Sequence, residues 1–138
     1  MSVAPLLPTI TDENRPFWDA ARAGRFRMQR CSHCATLRPS PSDICPHCLS
    51  EEFAWVDLSG RGAVSSWCVY HRAFHPAFKE RVPYTILQVD LDEGVRFVAP
   101  LAGGGVRPLK LGMRVRVVFE EAAEDVVLPV FALEEDVV

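Results

Sequence analysis

The feature that most constrains this chain is a pair of short cysteine turns, "CSHC" at 31–34 and "CPHC" at 45–48, ten residues apart. Two C-x-x-C turns can present four thiolates to one ion. Four thiolates complete a tetrahedral zinc shell and leave no position for water, so the expected role is structural. Iron in the same geometry would make a one-electron redox centre. Zinc is the reading adopted here, because four-cysteine ribbons are common structural zinc sites. The candidate ligands are Cys31, Cys34, Cys45 and Cys48. The segment "TLRPSPSDICP" between the turns is rich in turn residues and poor in apolar ones. Such a segment depends on its metal, whose binding in comparable modules is worth ~10–16 kcal/mol and is coupled to folding. His33 and His47 each precede the second cysteine of a turn, but four thiolates already fill the shell. Both are read as imidazoles outside it.

The rest of the chain sets the context for this cluster. Five cysteines in 138 residues fit four ligands and one free thiol better than a disulfide framework. The hydrophobic share of 49% and charged share of 24% are those of a globular domain. No apolar run approaches the ~20 residues of a membrane span, and "MSVAPLLPTITDENRP" does not read as an export signal. A cytoplasmic location is the expectation, where reducing conditions disfavour disulfides. The net charge of −3 argues against a nucleic-acid binder. Charge is nevertheless uneven. Six arginines lie between Arg15 and Arg38 against the single acid Asp19, while seven acids and no Lys or Arg follow Phe119. The basic third is expected to meet phosphates, to pair with the acidic tail, or to offset part of the thiolate charge.

Local patterns divide the chain into residues 1–24, an arm and a short helix; 25–52, the ribbon; and 53–138, a β domain. Thr11 or Asn14 is suited to cap the helix, with Asp12 and Glu13 in its first turn, Pro16 near its start and Gly24 as its stop. Phe17, Ala20, Ala21 and Trp18 share a face, and a helix this short must dock it on the chain's own body or on a partner. In "RFRMQRC", Phe26 and Met28 alternate with Arg25, Arg27 and Gln29, which predicts a strand entering Cys31. From Phe53 on, "FAWVDL", "GAVSSWCVYH", "PYTILQVDL", "VRFVAPL", "MRVRVVFE" and "LPVFAL" predict about six short strands, with "VDLDEGVRFV" a hairpin. The fold class expected is mainly β, ending in a small, partly open five-stranded Greek-key barrel.

Chemistry outside the cysteines is thin. Cys68 and His71 lie on opposite faces of a predicted strand, which argues against a nucleophile–base pair. Cys68 is expected as a small core residue. "HRAFHPAFKERVP" places His71, Arg72, Phe74 and His75 on an aromatic, cationic loop, a binding surface rather than a catalytic one. "AGGGVRP" lacks the strand-to-helix context and Lys-Ser/Thr of a phosphate loop and reads as a flexible hairpin loop.

Taken in order, "PFWDAARAGRFRMQRCSHC", "CPHC", "GRGAVSSWCVYHRAFHPAF", "VPYTILQVDLDEGVRF" and "LGMRVRVVFE" resemble the zinc-ribbon/OB-fold family associated with acyl-CoA enzymes, long catalogued as a domain of unknown function. The resemblance covers about Asn14 to Leu133. It implies an N-terminal helix, a rubredoxin-like zinc ribbon and a C-terminal OB barrel. It also implies a non-catalytic subunit that binds a thiolase-like enzyme, of thiolase or side-chain retro-aldolase type, and helps form its CoA/acyl channel. A MaoC-like hydratase ranks below that partner. The cysteines carry over as ligands of a structural Zn2+; no catalytic residue carries over and no organic cofactor is implied. Phe17, Trp18, Arg25, Arg27, His71, Arg72, Phe74 and His75 are the candidate ligand or partner contacts, the arginines through the phosphates of a CoA thioester. The competing function is a single-stranded nucleic-acid-binding ribbon/OB protein. The acidic total and the presence of two lysines alone, Lys79 and Lys110, count against it.

Overall fold

The computed structural model describes residues 6–136. Its elements run α1 (Arg15–Arg22), β1 (Phe26–Cys31), β2 (Leu37–Arg38), β3 (Phe53–Leu58), β4 (Arg61–Tyr70), a 3₁₀ turn (Pro76–Phe78), β5 (Tyr84–Leu91), β6 (Arg96–Pro100), β7 (Arg114–Ala123), β8 (Val126–Leu133) and a final 3₁₀ turn (Glu134–Asp136). The mainly β class with one N-terminal helix is as expected. No helix among the described residues is long and apolar enough to cross a membrane.

Asn14 is the residue before α1, but its side chain bonds backward instead of capping. Its Oδ1 accepts from the Thr11 amide at 2.8 Å, and Thr11 Oγ1 accepts from the Asn14 amide at 3.3 Å. Asp12 and Glu13 therefore sit in the turn ahead of the helix, not in its first turn. Gly24, at φ 76°, supplies the left-handed residue that ends it. The buried face of α1 is Phe17, Ala20 and Ala21, and it docks on the chain's own β1 and β8.

Two sheets follow. In the first, β1 lies between β2 and β3. The strand "FAWVDL", expected to open the β domain, pairs with β1 along its whole length, from Phe26↔Leu58 to Cys31↔Phe53, and so belongs to the sheet that carries the first cysteine. The second sheet is five-stranded, in the order β6-β5-β4-β7-β8, and a parallel bridge between Leu101 and Phe131 joins its ends. That is the closure of a Greek-key OB barrel. The β5–β6 hairpin forms as its Asp-Glu-Gly turn predicts, with Asp90 opposite Arg96. Strand β4 crosses β5 so closely at Gly62 that a Cβ there would lie 2.5 Å from the Asp90 carbonyl oxygen. The core is continuous between the sheets: Phe17, Phe26 and Met28 from the front join Leu87, Val89, Val115 and Phe131 of the barrel.

Candidate metal centre

The two knuckles are built alike, bond for bond. The Cys31 amide donates to Thr36 O and the Cys45 amide to Ser50 O, both at 2.9 Å. The Ala35 amide returns to Cys31 O at 3.0 Å and the Leu49 amide to Cys45 O at 3.1 Å. Ala35 and Leu49, each just past the second cysteine, have φ of 66° and 67°, a region that non-glycine residues enter at a cost of roughly 1–2 kcal/mol. Leu49 is also 74% exposed, so burial does not offset that cost. Leu49→Gly is expected to raise stability by up to about 1 kcal/mol, after the extra freedom glycine gives the unfolded chain; a thermal melt of the metal-loaded protein checks it.

These turns bring all four sulfurs within 4.8 Å of one another. Cys31 Sγ lies 3.6 Å from Cys48 Sγ, and Cys34 Sγ 3.6 Å from Cys45 Sγ. A tetrahedron of sulfurs about 2.3 Å from a central zinc has edges of about 3.8 Å, so the donor set fits such an ion. Both pairs are far beyond the ~2.0 Å of a disulfide. Cys31 and Cys45 are buried and Cys34 and Cys48 half-buried. The knuckle amides favour thiolates: the Cys34 amide, with help from His33, brings Cys31 down from 9.0 to about 6. The Cys48 and His47 amides likewise lower Cys45. Cys48 also has an amide, that of Ser50, but desolvation and the three neighbouring sulfurs outweigh it and push the thiol up to about 12. A fourth negative sulfur needs a cation in the middle. His33 and His47 are exposed and lie outside the sulfur set.

Two buried polar side chains, unforeseen in the sequence, hold the second knuckle in place. Arg38, 1% exposed, donates from Nη1 to Ser42 O at 2.7 Å and from Nη2 to Ser50 O at 3.1 Å. Its guanidinium lies 4.9 Å from the centre of the Phe53 ring. Gln29, also 1% exposed, accepts the Ser42 amide on Oε1 at 2.8 Å. Charge points Arg38 outward in the sequence and strand alternation points Gln29 outward, and no local signal reveals the Ser42 and Ser50 carbonyls and the Ser42 amide that hold them inward. Arg38→Ala is expected to cost about 1–3 kcal/mol and to speed zinc transfer to a chromogenic chelator, with Arg38→Lys recovering part of the loss.

The other expected contacts are scattered. Phe17 is buried in the chain's own core, edge-on to Trp18 and Phe26 at 4.9 and 6.1 Å; Trp18 is half-buried beside it. Arg27 Nε meets Asp57 Oδ1 at 2.8 Å and Arg25 Nη1 meets Asp57 Oδ2 at 3.4 Å. The two arginines thus share one carboxylate, which Arg27 in particular holds below its usual range. The acidic tail pairs elsewhere, through Arg107 with Glu135 and Asp136. His75 Nδ1 accepts the Ala77 amide at 3.0 Å and caps the 3₁₀ turn. Arg72 stacks on Phe74, which is 74% exposed, and His71 is exposed beside them. Cys68, expected in the core, is exposed on β4, because that end of the strand runs past the barrel. The glycine loop is tied down rather than loose: the Gly103 amide donates to Glu120 and Gly105 O accepts from Thr85 Oγ1, both at 2.9 Å. Between this loop and the 3₁₀ turn lies a cavity of about 560 Å³, with Phe78, Arg81, Tyr84 and Glu120 in its wall.

A closed four-sulfur cluster joined to a five-stranded barrel defines a zinc-ribbon/OB-fold protein. Residues 18–54 match the family described as "ChsH2, rubredoxin-like zinc ribbon domain" and residues 55–120 that described as "ChsH2, C-terminal OB-fold domain". The chain belongs to this ChsH2-type family, also known as DUF35. It is 40% identical, over 90% of its length, to a probable enoyl-CoA hydratase alpha subunit of Thermomonospora curvata, but spans 38% of that relative. A DUF35 domain-containing scaffold protein of Methanocaldococcus jannaschii is 34% identical over 70% of this chain and 68% of its own length. Benzoylsuccinyl-CoA thiolase subunit BbsA of Thauera aromatica is 34% identical over 70% of this chain and 67% of its own. Among solved structures, a chain of the Ltp2-ChsH2(DUF35) aldolase superposes with a TM-score of 0.76 at 39% identity, covering 91% of this chain and 98% of that one.

Proposed function

We propose that this protein is a non-catalytic subunit of a thiolase-like acyl-CoA enzyme, of thiolase or aldolase type, and that it helps form the channel for the CoA thioester. The observation that carries this reading is the near end-to-end match to a chain of the Ltp2-ChsH2 aldolase. A thiolase subunit and a scaffold protein among the relatives support it. The site chemistry agrees. Four sulfurs saturate a zinc, so the ion would brace the ribbon without activating water. Cys31, Cys34, Cys45 and Cys48 would hold it. The Cys68 thiol is on the exposed end of β4, His71 is exposed in the loop after it, and His75 caps a turn, an arrangement that supports a binding rather than a catalytic role. The hydratase name of the Thermomonospora relative is not carried over, because the chain covers 38% of that protein.

The cavity between the glycine loop and the 3₁₀ turn supports the channel role, since apolar groups of Phe78, Ile86, Pro100 and Leu101 line it beside a polar set of Glu80, Arg81 and Glu120. Arg25 and Arg27 share the Asp57 carboxylate, so a CoA phosphate at either would compete with that pair. The test is affinity purification of the tagged chain from its host, followed by acyl-CoA turnover assays on the chain alone and on the complex. Recovery of a thiolase-like protein whose turnover needs this chain is the expected result. A chain that binds no such protein, or that turns over a CoA thioester by itself, overturns the proposal.

A further inference from the structure

Strand β4 is paired on both sides over part of its length only. Along β5 it is matched from Gly62 to Tyr70, but its pairing with β7 covers Arg61 to Ala63 and then stops. Val64 still exchanges bonds with Gly112 and Met113, at 2.8 and 2.9 Å. A register shift between Val64 and Ser66 then carries the strand beyond the barrel. From Ser66 to Tyr70 its outer edge has no backbone partner among the described residues.

The ladder fixes which groups are left over. The Leu101 amide bonds to Thr85 O and the Leu91 amide to Val95 O, so Thr85, Leu87 and Val89 point their backbone groups at β6. By alternation, Gln88, Ile86 and Tyr84 bond to β4, through Ser66, Cys68 and Tyr70. The N–H and C=O of Trp67 and Val69 therefore face outward.

The other edge positions carry the usual safeguards. Strand β3 has Asp57, and β6 and β8, which meet at the Leu101–Phe131 bridge, have Arg96 and Pro100, and Pro129. The stretch "VSSWCVY" from 64 to 70 has no charge and no proline. Such an edge is a template for another strand. Trp67 and Tyr70 are each 37% exposed along it, and Leu111 and Phe74, at 71% and 74%, flank its two ends. Charge gathers beyond the uncharged centre. Arg72 is exposed past Tyr70, and Lys110 is exposed next to the loop bonded to Val64. A second copy pairing antiparallel here would bring Arg72 of one chain toward Lys110 of the other, which counts against self-association.

We propose that the Ser66–Tyr70 edge of β4 receives an extended, uncharged strand of the partner subunit, flanked by carboxylates that meet Arg72 and Lys110. This rests on the partner-subunit reading and names the surface it uses. Backbone pairing supplies the affinity and the flanking charges fix the register.

Residue-resolved amide exchange by NMR, on the chain alone and bound to the thiolase-like protein recovered with it, tests this directly. Binding is expected to slow exchange at Trp67 and Val69 by at least tenfold, and to leave Ser66, Cys68 and Tyr70, already bonded to β5, little changed. Val69→Pro removes one outward N–H while sparing the β5 ladder. It should weaken binding at least tenfold with zinc content retained, and Arg72→Glu should weaken it several-fold at low salt. If the partner binds with no protection of Trp67 and Val69, the edge assignment falls while the subunit reading stands. If no thiolase-like partner binds, both fall. Protection that appears in the chain alone and grows with its concentration would assign the edge to a second copy and overturn the proposal.

Discussion

Replacing Cys45 by serine is expected to abolish stoichiometric zinc binding and to unfold the ribbon. Cys45 is the most enclosed of the four cysteines, with no solvent exposure, and its sulfur lies 3.6 Å from Cys34 Sγ and 3.4 Å from the His47 amide. A serine hydroxyl fits the space but does not supply a soft anionic donor. Structural zinc contributes ~10–16 kcal/mol, as much as the ~5–15 kcal/mol net stability of a whole domain. The apolar residues of the ribbon cannot replace it, since most of the segment from Pro39 to Ser50 is exposed or half-buried around Cys45. Metal analysis should fall from one zinc per chain to near zero. Amide protection in β1 and β3 should be lost, while Leu87 and Val89 of β5 keep theirs. Acid should act in the same direction. Cys31 is depressed to about 6 from 9.0 in the folded knuckle, so its thiolate contributes stability that is full above 9.0 and is lost as pH falls through about 6. Bound metal moves the loss to lower pH, because protons then compete with the ion. Zinc release followed against pH should rise toward acid and never toward base in this range.

Phe26→Ala is expected to give the largest loss outside the metal ligands. Phe26 sits on β1 at 4% exposure and stacks edge-on with Phe17 of α1 at 6.1 Å and Phe97 of β6 at 5.0 Å. Phe97 in turn meets Phe131 at 6.1 Å, beside the bridge that closes the barrel. One ring therefore joins helix, ribbon and barrel. Truncating a buried phenylalanine costs about 3–5 kcal/mol, which lowers the midpoint of a domain of this size by roughly 10–20 °C. Ribbon and barrel should then melt in separate steps, which calorimetry resolves. A double-mutant cycle with Phe97→Ala should show coupling of about 0.5–3 kcal/mol. Strict additivity would mean that the two halves are not joined through this contact.

Local chemistry made part of this fold legible. The cysteine spacing announced the sulfur cluster because each knuckle is a self-contained turn. Asp92-Glu93-Gly94 announced a hairpin and Gly24 a helix end for the same reason. What stayed hidden depends on distant parts meeting. Arg38 is buried because the carbonyls of Ser42 and Ser50 converge on it, a result of the second knuckle folding back. Strand β3 reads like any barrel strand, and β1 claims it through pairing across more than twenty residues of intervening chain. Cys68 reads as core because a lone cysteine on a strand is usually a small buried residue, yet the β4–β5 hairpin outruns the barrel there. The arginine excess of the N-terminal third suggested phosphate contact, while Asp57, thirty residues from Arg27, engages two of those arginines.

X-ray absorption at the zinc edge of the purified, metal-loaded protein bears most directly on the idea that this ion braces a docking subunit and performs no chemistry. Four sulfur scatterers at about 2.3 Å, unchanged when the partner and an acyl-CoA are added, are predicted. Three sulfurs with an oxygen or nitrogen in the fourth position, or a substrate-dependent change in the shell, would contradict it.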